Sequence, residues 1–261
     1  MSVEALDLRR LAPVTLAEVL DNAAALHRVD RKYLVDRGTV AALLDALPAS
    51  YRLLTIGGRT STGYRSTYFD TADLATARAH VQGRRRRWKA RSRLYVEDGL
   101  TRVEVKTKDG RGGTVKAVAD ADGYGRLTAH SLAFLQESLA TQGIRDDLSN
   151  LRPTMEVRYR RITLADTTTH ERVTIDDGVR CSLGGDRVWL DEDTVLVETK
   201  SGPRLSRADR VLRGLGARPV SFSKYVAAAT LLRDDLPDND VRRLHGRVLH
   251  SARVVRTERT A

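Results

Sequence analysis

Two hydrophobic periods alternate along this chain. In residues 5–27 the apolar positions Leu6, Leu8, Leu11, Val14, Leu16, Val19, Leu20 and Leu26 follow a helical rhythm broken at Pro13, with Thr15 placed to cap a short packing helix. Residues 29–35 then alternate and are rich in β-formers, which predicts a strand carrying Arg28, Asp30 and Lys32 on one side. Asp36-Arg37-Gly38-Thr39 leads into a helix over 40–47 that stops at Pro48. Strands are predicted over 51–56, 64–69, 86–95 and 101–108, with Gly57-Gly58 and Asp98-Gly99 as turns and the second pair forming a hairpin. Asp70-Thr71-Ala72-Asp73 begins a short helix through His80, and Asp109-Gly110-Arg111-Gly112-Gly113 is a flexible loop without the Walker pattern, followed by extended residues 114–116.

The second half repeats this alternation of elements. A helix over 127–143 places Leu132, Leu135 and Leu139 at core spacing; strands follow over 154–164, 172–176, 187–189 and 194–200. A helix over 204–215 ends at Gly216, and Ser221-Phe222-Ser223-Lys224-Tyr225 precedes an apolar helix over 226–232. Residues 235–261 turn polar and basic and read as a peripheral or partly disordered tail. The expected organisation is an N-terminal packing-helix segment (1–27), one α+β domain (28–234) and the basic tail (235–261).

The strands carry their charges on alternate residues. Lys89, Arg91 and Arg93 share one face, as do Arg102, Glu104, Lys106 and Lys108; Glu198 and Lys200 repeat the Glu-x-Lys unit. Such faces are hidden from bulk solvent only around water and a highly charged ligand, because unpaired buried charge is costly. The pattern therefore predicts a cationic tunnel for polyanionic phosphate, where guanidinium forks match phosphate oxygens. Arg158, Arg160 and Arg161 occupy both faces of their strand, so they do not all line one cavity. The run Arg84-Arg85-Arg86-Arg87 lacks alternation and is equally well a solvated charge run. The acids Glu104 and Glu198 either pair with these bases or hold Mg²⁺ or Mn²⁺, with Glu198 the favoured metal ligand. Lys224 sits at a helix start, where backbone N–H groups add anion affinity.

Composition narrows the partners. With 45 Lys and Arg against 34 Asp and Glu, a formal charge of +11 draws anions, while only 5% aromatic residues provide few stacking platforms for nucleic-acid bases. A lone Cys181 excludes an internal disulfide framework, and no apolar run approaches a membrane span of about 20 residues. The first residues lack a secretory signal, and a cytoplasmic protein is expected. The histidines show no ligand spacing, and no Gly-x-Ser-x-Gly elbow is present, so the chemistry expected here is electrostatic.

Eight segments in order carry a resemblance: Arg28-Val-Asp-Arg-Lys32-Tyr33, Tyr64-Arg-Ser-Thr-Tyr68-Phe69-Asp70-Thr71, Lys89-Ala-Arg91-Ser-Arg93, Val103-Glu104-Val-Lys106, Val157-Arg-Tyr159-Arg-Arg161, Arg172-Val-Thr-Ile-Asp176, Val197-Glu198-Thr-Lys200 and Phe222-Ser223-Lys224-Tyr225. Together they resemble the catalytic domain of the vacuolar transporter chaperone (VTC) family, polyphosphate polymerases of the triphosphate tunnel metalloenzyme superfamily. The resemblance implies a closed antiparallel barrel of about eight strands with peripheral helices. It further implies a phosphate-binding set of Lys32, Arg91, Arg93, Lys106, Arg161, Arg172 and Lys224. Lys89, Lys116, Tyr159, Lys200 and Ser223 would support substrate, and Glu198 would hold Mn²⁺ or Mg²⁺. It selects Arg161 as tunnel-facing, whereas alternation from Glu156 selects Arg160. The implied reaction moves the γ-phosphate of ATP onto inorganic polyphosphate, with no specific nucleic acid and no membrane span. Hydrolases of the superfamily carry Glu-x-Glu-x-Lys on the first strand. Arg28-x-Asp30-x-Lys32 removes one acid and shortens the other, which disfavours a tunnel triphosphatase acting on tripolyphosphate or a nucleoside triphosphate. A module that only binds polyphosphate is the third reading.

Overall fold

The computed structural model describes residues 6–21, 29–108 and 113–254. Arg28, most of the Gly-rich loop and residues 255–261 lie outside the described residues. In chain order the elements are β1 (Pro13–Val14), α1 (Leu16–Asp21), β2 (Val29–Asp36), α2 (Arg37–Ala46), β3 (Tyr51–Leu54), β4 (Ser61–Asp70), α3 (Ala75–Val81), β5 (Arg87–Tyr95) and β6 (Leu100–Lys108). They continue with β7 (Thr114–Asp120), α4 (Ala129–Ala140), β8 (Arg152–Asp166), β9 (Glu171–Leu183), β10 (Asp186–Leu190), β11 (Thr194–Ser201), α5 (Arg207–Gly214), α6 (Lys224–Leu232) and β12 (Leu249–Ala252). This is an α+β protein with a large, mostly antiparallel sheet; β1 and β3 pair in parallel.

The expected closed barrel is corrected. Among the described residues β2 is paired only with β11, and β7 only with β6, so the ladder keeps open edges. Much of β7 faces solvent, as an edge strand does. No helix among the described residues is long and apolar enough to cross a membrane.

The chain forms two compact units. The first comprises Met1–Gly63, Tyr159–Val179 and Leu190–Phe222. In it β11 lies between β2 and β9, and alternate residues of all three strands (Tyr33, Val35, Val173, Ile175, Val195 and Val197) join α2 and α5 in one apolar core. The capping signals work as local chemistry dictates: the Asp36 carboxylate accepts from Thr39 N at 2.6 Å, and Ser206 and Asp209 form a capping box on α5. Asp209 is wholly buried and also accepts from the hydroxyls of Tyr33 and Thr199, locking α5 to the sheet. Thr15 caps α1 as expected, with Glu18 reaching back to its backbone N–H at 2.8 Å.

The second unit comprises Tyr64–Arg158, Arg180–Trp189 and Ser223–Ala261. Its ladder runs β4-β5-β6-β7, and Trp88, Ala90, Val103 and Val105 pack on Leu135 and Leu139 of α4. The helix expected from Asp70 begins only at Ala75, because the buried Asp70 carboxylate serves as an anchor for the turn and accepts from Thr71, Thr76 and Ala77 N–H groups. Part of the expected tail is folded instead: Leu249–Ala252 forms β12, Leu236, Val241 and Leu249 are buried, and the His250 ring stacks on Trp189.

Candidate functional site

Residues opposite one another in an antiparallel ladder project to the same face. In the first unit, Asp30, Lys200 and Arg172 form one cross-strand row over β2, β11 and β9, and Lys32, Glu198 and Thr174 form the next. Asp176, two residues further along β9, completes this face, which is turned away from the apolar core. Lys200 Nζ stands 2.9 Å from Asp30 Oδ2 and also pairs with Glu198. Burial alone would raise the pKa of Glu198; Lys200, Lys32 and Arg161 outweigh it and hold the carboxyl well below the usual range. Arg161 grips Asp176 through two donors, Nη2 at 2.7 Å from Oδ2, and its guanidinium lies 5.2 Å from the Tyr159 ring centre. Arg160 on the other strand face donates to Ser61 Oγ at 2.8 Å, and Arg158 pairs with Glu156. Of these arginines, Arg161 is the one whose charge acts on Glu198.

In the second unit the corresponding face is far more cationic. Lys89, Lys106 and Lys116 stand opposite one another across β5, β6 and β7, a row of three like charges. The next row places Tyr68, Arg91 and Glu104 side by side across β4, β5 and β6, and the row beyond begins Ser66, Arg93 and Arg102. Glu104, 3% exposed, is the hub: Arg91 Nη2 lies 2.6 Å from it, Lys116 Nζ 2.9 Å and Arg93 Nη1 3.5 Å. Burial would raise its pKa, but Arg91, Arg93 and Lys116 together hold it far below the carboxylate range. The Lys116 side chain is half-exposed, yet desolvation brings its pKa down to about 8 against the pull of Glu104. Arg91 also donates to Tyr68 Oη at 2.8 Å.

α6 supplies the remaining predicted groups. Ser223 makes no side-chain cap on this helix; its hydroxyl accepts from Lys89 Nζ at 3.1 Å. Lys224 is the first residue of α6, and Tyr225 behind it stacks on Tyr68 at 4.5 Å and donates to Asp70. The Lys224 carbonyl accepts from Cys181, whose thiol is pushed up to about 12 by burial and is no nucleophile. Burial, then the charge of Lys89, lowers the pKa of His80 to about 3, which keeps the imidazole neutral at pH 7.

Sequence reasoning did not single out Tyr68 or Asp176 as parts of these clusters, and it placed Asp30 on the Lys32 face without pairing it with Lys200. For Asp176 the available signal was parity, since it shares the strand face of Arg172.

Among the described residues no three His, Cys, Asp or Glu side chains gather as a protein-only metal cage. Mg²⁺ and Mn²⁺ bind readily through one or two carboxylates when phosphate oxygens and water complete the shell. Glu198, with Asp30 across the shared Lys200, fits that mode; a fully protein-coordinated ion does not fit.

With this geometry in view, the VTC domain family model matches residues 27–233, and the chain belongs to that family. Among curated proteins no sequence is significantly similar. Solved structures similar to the chain include HpAC1 from Hippeastrum, which has a dominant triphosphatase activity, at 15% identity and a TM-score of 0.47, covering 78% of this chain and 95% of that one. Others are the bh2851 protein of Bacillus halodurans, at 13% identity and TM-score 0.45 (76% and 94% covered), and PH1819 of Pyrococcus horikoshii, at 10% identity and TM-score 0.44 (79% and 100% covered).

Proposed function

We propose that the protein is a polyphosphate polymerase that transfers the γ-phosphate of ATP to the end of an inorganic polyphosphate chain. Membership of the VTC family supports an enzyme acting on condensed phosphate. The observation that carries the reading is the Lys89–Lys106–Lys116 row beside Arg91 and Arg93: these cations share one strand face, with Glu104 buried among them and the Arg102–Asp120 pair further along it. Like charges directly opposite on a sheet repel. A face built this way is stable around a polyanion that threads along it, and linear polyphosphate carries such charge at every unit.

Phosphoryl transfer needs in-line positioning and neutralisation of the oxygens on the moving group, with little covalent help from protein. A terminal polyphosphate oxygen would attack Pγ, the bond from Pγ to the β–γ bridging oxygen would break, and ADP would leave. Arg91, Arg93 and Lys106 would orient and neutralise phosphates on the face of the second unit, and Lys32, Arg161, Arg172 and Lys200 would hold phosphate on the face of the first. Ser223 and Lys224 would hold a phosphate oxygen beside Lys89. Glu198 would hold a divalent ion, whose chemistry is further neutralisation of phosphate charge. Since the terminal phosphate is itself the nucleophile, Cys181 and the histidines are not required. Incubation with ATP and Mn²⁺, with products resolved on a gel stained for polyphosphate, tests the reading. A ladder of long polymer is expected; orthophosphate without polymer would replace it with the triphosphatase reading.

A further inference from the structure

The arginine run that the strand pattern left unexplained lines a pocket of its own. Arg84, Arg86 and Arg87, between α3 and the start of β5, border a pocket of about 410 Å³ whose opposite wall brings Arg145 from the segment after α4. Ala75 and Ala79 of α3, with Ile144 and Leu151, give it apolar sides. Trp88, on the face of β5 turned away from Lys89, Arg91 and Arg93, lies within the lining, and Arg87 joins it from the start of the strand; Lys89, Arg91, Arg93, Lys106 and Lys116 do not line this pocket. Exposed as most of them are, these arginines are not scattered: Arg84, Arg86 and Arg87 meet Arg145, from a segment distant in sequence, around one concavity.

The two acids of the lining bond neutral donors, and two carboxylates against four arginines leave it net positive. Asp146 accepts from the Trp88 indole N–H at 2.5 Å, and Asp147 accepts from the Ser149 backbone N–H at 2.9 Å and its hydroxyl at 2.8 Å. Arg84 spends Nε on Gln82 Oε1 at 3.0 Å, and Arg87 donates to the Arg84 carbonyl, contacts that shape the loop and leave further N–H donors for a ligand. Arg84 N donates to the Ala79 carbonyl at 3.0 Å, which ties the loop to the end of α3. Guanidinium forks set around a concavity match the paired oxygens of phosphate.

We infer that this pocket is a second anion site, taking the phosphates of a short condensed phosphate, free or at the end of a nucleotide. The test is titration calorimetry of the full chain with inorganic tripolyphosphate, comparing wild type with Arg86→Glu/Arg145→Glu and, separately, with Lys89→Ala/Lys106→Ala on the basic row. The pocket variant is expected to lose one binding site, or at least tenfold in its affinity, while keeping the wild-type circular dichroism spectrum; the row variant is expected to keep that same site. Should charge reversal disturb folding, Arg86→Gln/Arg145→Gln is expected to weaken the site without doing so. A parallel titration with ATP separates the sources, since a phosphate-only site binds tripolyphosphate at least as tightly. Wild-type stoichiometry and affinity in a folded pocket variant would overturn the inference, whatever the row variant does.

Discussion

Glu104 and Arg91 are direct partners across β5 and β6, and the guanidinium closes to 2.6 Å on a carboxylate almost wholly removed from water. Arg93 and Lys116 converge on the same group. One acid thus organises three cations without cancelling their charge, which is how a sheet face remains both folded and strongly positive.

Removing that acid tests the role. Glu104→Gln leaves Arg91, Arg93 and Lys116 facing one another, and breaking such a buried pair costs about 3–5 kcal/mol. Because the folded-state pKa of Glu104 lies below its ordinary value of 4.5, its contribution is present above that value and is lost as pH falls through the acid range toward the folded pKa. Urea titrations between pH 7 and pH 3 are expected to show wild type losing stability with acid and the variant losing less over the same range.

Lys116 gives the opposite kind of signal. Its pKa is lowered from 10.5 to about 8, so between those values the unfolded chain holds the proton that the folded chain has released, and this group makes stability rise with pH across the window. Its attraction for a polyanion falls over the same interval. Tripolyphosphate affinity of the basic row is expected to decline as pH passes 8, and Lys116→Arg, charged throughout, is expected to remove that decline.

Asp70 is the structural anchor of the α6 end. Its carboxylate accepts from Thr76 N and Oγ1, from Ala77 N and from the Tyr225 hydroxyl, all in the interior. Asp70→Asn forces a donor among these donors and is expected to cost at least about 2 kcal/mol. Thermal melting checks it, and Tyr225→Phe, which removes one donor and leaves the rest, is expected to cost less.

Much of this was legible because a strand has period two. The charges of Lys89, Arg91 and Arg93, and the apolar alternates Trp88 and Ala90, fall on opposite faces as read from the chain. What resisted reading was non-local. Arg161 is matched to Asp176 on the neighbouring strand, a partner that alternation from Glu156, which selects Arg160, does not reveal. β8 and β9 run 15 and 13 residues, beyond the alternating cores that marked them, because their ends are held by partners distant in sequence. β12 carries one buried apolar residue, Leu249, in a basic stretch and gave no periodic signal. Barrel closure depends on how edge strands meet, and among the described residues β2 and β7 each keep one partner.

Geometry and charge separate at Arg161. Arg161→Lys keeps the cation and loses the two-donor grip on Asp176. Polymer synthesis is expected to drop at least about tenfold, with the folded state intact by circular dichroism. Equal activity would mean that only the charge matters there.

The most direct measurement is the fate of the γ-phosphate. Purified protein is supplied with Mn²⁺ and ATP labelled at either the γ or the α position, and polymer is separated from nucleotide and orthophosphate. The account predicts γ label in long polymer and α label only in ADP, with Arg91→Ala and Lys106→Ala each cutting polymer label at least about a hundredfold. γ label recovered wholly as orthophosphate, or polymer label undiminished in both variants, would contradict it.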